Sequence, residues 1–127
     1  MPMTNYLANA MANATLRNTS YTSPANVYAA LYSTAPTVST SGTELTGNGY
    51  ARQLTTFSAP SAGGASSNVT ITFGAASGNN WPTVVSLAIC DASTGGNILY
   101  FKNIAQRNIR IGDTFVVDSG NLTITIS

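Results

Sequence analysis

Three observations predict a mainly β chain, an antiparallel β-sandwich or small barrel of about seven to eight strands with one N-terminal α-helix. Apolar and polar residues alternate with period two in short runs from residue 27 onward. Turn signals rich in Gly, Asn, Asp and Pro separate those runs at intervals of roughly ten residues. Only the first twenty residues carry a helical spacing, so residues 1–20 read as a helical arm and 21–127 as the sandwich.

The helix is expected over residues 4–17. Thr4 is placed to cap it by accepting a hydrogen bond from a free amide of the first turn. Met3, Leu7, Ala10, Met11 and Ala14 recur at spacings of three and four and share one soft face. That face suits either the domain's own sheet or a groove on a partner. Residues 27–33 ("VYAALYS") form the first strand, stopped at Ala35-Pro36, and residues 50–57 form the next. In 69–73, Val69, Ile71 and Phe73 point inward, with Thr70 and Thr72 outward. Residues 122–126 repeat the device. Residues 84–90 ("VVSLAIC") lack alternation, which marks a central strand covered on both faces. Residues 98–101, 109–111 and 114–117 complete the set. "STGGN" at 93–97 reads as a hairpin loop, and the segment 63–67 and the ten or so residues after Pro36 read as flexible loops.

Composition narrows the function. The chain has 127 residues, one domain's worth, with 7% charged and 43% hydrophobic residues and a net charge of +1. There is no basic patch for nucleic acid; Lys102, Arg107 and Arg110 read as a solvated strand face. No apolar run approaches the ~20 residues of a membrane span, and the N-terminus lacks the pattern of a Sec-type signal peptide. A charge-poor surface offers little repulsion between copies, which points to assembly. The lone Cys90 lies in an apolar run and reads as a buried, inert thiol.

Catalytic chemistry lacks material. There is no histidine, the commonest general base and metal ligand, and one cysteine builds no structural zinc site. Glu44, Asp91, Asp113 and Asp118 lie on separate loops, and Asp91 and Asp113 read as turn formers. No catalytic residue, cofactor or metal is expected. "GTELTGNGYARQ" at 42–53 resembles a phosphate-cradling loop only in its glycines. It lacks the Gly-Lys-Ser/Thr of a P-loop and leads into a strand, so Gly47-Asn48-Gly49 is a turn. Glu44 and Arg52 flank that turn and can pair across it, a link worth at most about 1 kcal/mol if exposed. Trp81, among Gly and Asn, is either a sugar-stacking platform or a plug at one end of the sandwich. The candidate partner contacts are Tyr6, Leu7, Met11, Glu44, Arg52 and Trp81.

The segments "LRNTSYTSPANVYAALYSTAPT", "GYARQ" and "DASTGGNILY" carry a resemblance that covers nearly the whole chain. It is to a family of small structural proteins of tailed bacteriophages, commonly labelled tail fibre proteins and similar to small β-rich capsid cement proteins. The resemblance implies a virion protein without enzymatic activity. It implies first a capsid cement or decoration protein, a homotrimer bound to the major capsid protein through the helix and the loops at 36–49 and 60–67. The absence of repeats and of a long shaft agrees with that reading. The alternative it implies is a tail fibre or baseplate appendage that recognises a host glycan through Trp81 and the tyrosines.

Overall fold

The computed structural model describes residues 1–125. Among them the chain forms one helix, α1 (Asn5–Leu16), and nine strands. These are β1 (Val27–Thr34), β2 (Thr43–Glu44), β3 (Gln53–Thr55), β4 (Gly64–Ser66), β5 (Ile71–Gly74), β6 (Val84–Cys90), β7 (Ile98–Arg107), β8 (Thr114–Val117) and β9 (Thr123–Thr125). All pairings are antiparallel. The strands make an open sandwich and close no barrel. One layer is a five-stranded sheet in the order β2-β1-β6-β7, with β3 pairing the other end of β1. The second layer is two separate ladders, β4–β9 and β5–β8.

The core lies between those layers. Ala29 and Leu31 of β1 and Leu87 and Ile89 of β6 face Ile71 and Phe73 of β5, Phe115 of β8 and Ile124 of β9. The alternation in β5 holds for Ile71 and Phe73, whereas Val69, expected inward, lies before the strand and is 37% exposed. β6 is covered on both faces, as its unbroken apolar run predicts. β1 shares that property: Ala30 and Tyr32 point away from the main core and form a second cluster with Ala88 and Cys90. The thiol is buried as expected.

Thr4 caps α1 as predicted, its hydroxyl accepting from the Leu7 amide while donating to the Ile98 carbonyl at 2.6 Å. The Thr4 amide donates to Leu99 O, and Asn5 N to Val38 O. The helix is therefore tied at its start to the chain's own sheet, with Leu7 buried and Met3, Ala10, Met11 and Ala14 half-buried. At the far end Asn18 adopts φ 51°, and Thr19 N reaches Asn13 O to close the last turn.

Four elements differ from the sequence reading. Residues 63–67 are not a flexible loop: Gly64–Ser66 form β4 on β9, because small side chains let that ladder close against the core. The stretch after Pro36 is also held. Pro36 is buried, Thr37 and Thr40 bond each other through backbone and hydroxyls, and β2 follows. β7 runs ten residues, well past Phe101. Its polar second half, Lys102–Arg107 in sequence, reads as loop, but pairing with β6 carries it through a bulge to Arg107 opposite Val84. The strand expected at 109–111 does not form; Ile109 is buried as a core plug and Ile111 is 58% exposed. Ile126, part of the predicted last strand, lies outside the described residues.

Gly47, Asn48 and Gly49 all have positive φ (69°, 54° and 86°), as a tight turn requires. They are not equivalent. A Cβ on Gly49 would sit 2.5 Å from the Ala75 carbonyl oxygen, whereas one on Gly47 meets nothing within 4 Å. Gly49→Ala is expected to lower stability by about 1–3 kcal/mol and Gly47→Ala by clearly less. Urea unfolding of the two variants checks this, and equal losses would contradict the close-approach account.

Candidate functional site

The loop 42–53 returns from β2 to β3 and carries the most connected polar cluster among the described residues. Tyr50 and Arg52, two residues apart in the segment that leads into β3, both reach Glu44 with their side chains. Glu44 of β2 lies opposite. The Glu44 carboxylate accepts from Arg52 Nε and Nη2, both at 2.8 Å, and from the Tyr50 hydroxyl at 2.6 Å. The Arg52 Nη1 group donates to the carbonyls of Ala92 and Gly95, each at 2.8 Å. Tyr50 Oη in turn accepts from the Leu31 amide of β1 at 3.0 Å. One bidentate ion pair thus joins the 42–53 loop, the central strand β1 and the β6–β7 hairpin.

Burial changes what that pair is worth. Arg52 and Glu44 side chains are only 9% and 24% exposed, so the pair is not the weak surface link expected from spacing alone. Burial raises the Glu44 pKa, but hydrogen bonds from Arg52 and Tyr50 outweigh it and hold the carboxyl below its ordinary value. The bond to Glu44 raises Arg52 in spite of its burial, and burial followed by the bond to Glu44 raises Tyr50. Every group in the cluster is held in one protonation state, with its donors and acceptors matched. The arrangement positions loops.

Tyr50 also ties the clamp to the core. Its ring stacks near Phe73 (6.2 Å between centroids) and meets Trp81 edge-on at 5.7 Å, while Phe73 meets Phe115 at 6.0 Å. Trp81 is 5% exposed and its Nε1 donates to the Asn48 carbonyl at 2.8 Å. The tryptophan is therefore the plug, and the sugar-stacking role is corrected: the side chain is buried in the main core cluster, because its apolar area is worth more there than in water.

Of the six candidate contacts, the fold brings together Glu44 and Arg52. It buries Leu7 on the sheet, half-buries Met11, and leaves Tyr6 44% exposed on the first turn of α1. Asp91 and Asp113 are turn formers as predicted: Asp91 Oδ1 accepts from Asn97 N, and Asp113 Oδ2 from Arg110 N. Lys102, Arg107 and Arg110 are exposed, with Arg107 over the Phe115 ring at 5.7 Å. The sequence reading missed Tyr50 as the third member of the clamp. Its spacing of two from Arg52 was the available signal; the Ala92 and Gly95 carbonyls left none.

The layers and the clamp define a β scaffold built to hold loops and a helix at fixed positions. The chain belongs to the family described as Podophage GP4 fiber I protein gp80, whose model matches residues 2–125, and it is a bacteriophage virion structural protein. That description speaks of a fibre and not of capsid decoration. No curated protein matches the chain.

Arg52→Ala leaves a half-buried carboxylate without its partner and is expected to cost about 3 kcal/mol, the low end for one-sided loss of a buried pair. Denaturant unfolding checks the size. Glu44 also sets a pH dependence. Its folded pKa lies below the unfolded 4.5, so the folded chain binds fewer protons. The stability it contributes is complete above that unfolded value and is lost as pH falls through the folded one. Thermal melts between pH 7 and 2 should show this acid loss, and Glu44→Gln should flatten it.

Proposed function

We propose that this protein is a structural component of a phage tail appendage, assembled by contacts with copies of itself and with neighbouring virion proteins. The family match over residues 2–125, with its fibre description, carries the reading and favours it over a capsid cement role. The surface supports it physically. Large apolar side chains stand in solvent at Leu16 (82% exposed), Ile111 (58%), Leu54 (53%) and Val116 (50%), on a chain with few charges. Such a surface is suited to docking against other subunits, and a homotrimer is the expected self-assembly. The polar cluster at Glu44, Tyr50 and Arg52 then works as internal bracing that keeps the contact loops in register, with no catalytic part to play.

Quantitative gels and immunogold labelling of purified particles test the placement. A few copies per virion with label at the tail are expected. Copy number in proportion to the major capsid protein, with label over the head, would return the protein to the decoration role.

A further inference from the structure

A groove of about 350 Å³ lies between β7, which ends the five-stranded sheet, and β8, which among the described residues pairs only with β5. Ile104, Phe115 and Val117 line it and pack in or against the main core. Val116 lines it too and is 50% exposed, so the groove holds apolar area that the chain's own fold leaves in water. Arg107 and Asp118 are the two charged residues of the lining. Both are anchored. The Arg107 guanidinium lies over the Phe115 ring at 5.7 Å. The turn that bears Asp118 is closed by Asn121 N on Asp118 O at 3.0 Å and moored by Gly120 N on Ser67 O at 2.7 Å.

Neither charge is compensated within the chain. Glu44 is paired with Arg52, and the Asp91 and Asp113 carboxylates accept from amides of their own turns. Among the described residues Asp118 is the acid whose carboxylate makes no hydrogen bond, and Arg107 makes no ion pair. Strand addition at the β7 edge does not suit this side of the molecule. Residues 2–4 already cover the first half of that edge, through Thr4 N on Leu99 O and Phe101 N on Pro2 O. The second half carries Lys102, Arg107 and a bulge, which oppose edge pairing. What the groove offers is side-chain contact.

Charge decides the occupant. An acidic segment drawn to Arg107 also meets Asp118, and a basic one drawn to Asp118 also meets Arg107, so neither sign alone fits. The complement is an apolar surface that carries one charge of each sign. A second copy turned through a two-fold axis supplies it: its Asp118 faces Arg107, its Arg107 faces Asp118, and the two apolar areas cover each other. We propose that this groove is a two-fold self-association surface, in which Arg107 of each copy pairs with Asp118 of the other beside a shared apolar contact at Val116. The inference rests on, and deepens, the reading that copies of this chain dock on one another. A three-fold assembly would use other surfaces, and the groove would then join two such assemblies.

Light scattering of the purified full chain after size exclusion tests it. An even number of copies is expected. Arg107→Glu and Asp118→Arg should each halve that mass, since each sets like charges against one another at both contacts. Mixing the two variants in equal amounts should restore it, because the mixed pair matches a cation with an acid at both contacts. Lys102→Glu, the same charge change on β7 but outside the groove lining, should leave the mass unchanged. Val116→Ser should raise the dissociation constant about tenfold. All four positions are exposed, so circular dichroism should show every variant folded. One or three copies for the unaltered chain, unchanged mass in Arg107→Glu or Asp118→Arg, a mixture no heavier than its components, or loss of mass in Lys102→Glu overturns the proposal. So does Val116→Ser pairing as tightly as the unaltered chain. A single-copy chain with label at the tail removes this contact and leaves the appendage reading standing. Pairing with label over the head removes that reading and leaves the contact.

Discussion

The bidentate pair between Glu44 and Arg52 is the constraint on which the loops of this protein depend. Five Lys or Arg and four Asp or Glu serve the whole chain, and two of them are committed to one nearly enclosed contact. A single buried charge is costly, and a pair repays that cost only when its remaining donors and acceptors are filled. Here they are filled by Tyr50, Ala92 and Gly95. The result ties three chain segments at one point, in addition to the ladders that β1 makes with β2, β3 and β6. The clamp also fixes the aromatic end of the core, since the tyrosine that donates to Glu44 packs edge-on against Trp81.

The core and the clamp divide the work of a small scaffold. Burial of Phe73, Leu31, Ile71 and Ile89 supplies non-directional stability. The clamp supplies direction, because hydrogen-bonded ion pairs tolerate little displacement. Loops held this way lose little further entropy when a partner docks on them, which favours repeated, identical contacts in a virion. The same economy explains α1. Thr4 and Leu7 moor its first turn, while Leu16 stands free at its far end.

Much of the architecture was legible from local pattern. The cap at Thr4, the alternation at Ile71 and Phe73, the two-sided burial of β6 and the Gly47–Asn48–Gly49 turn each follow from the residues at those positions. Pattern failed where pairing overrode composition. The second half of β7 is polar and is held as strand by β6, and β4 is too poor in large side chains to announce itself. At the site, facing positions on either side of the turn marked Glu44 and Arg52 as partners, but their neighbours came from a hairpin forty residues away.

By itself the sequence determined the fold class, the helix, most strand positions and the want of charge, because these depend on residue type and short-range spacing. Tertiary structure alone decided that Trp81 is a plug, that the Glu44–Arg52 pair is largely buried, and that Tyr6 stands exposed on the first turn of α1. Burial and hydrogen-bond partnership are properties of what comes to lie nearby in space, and chain order does not encode them locally.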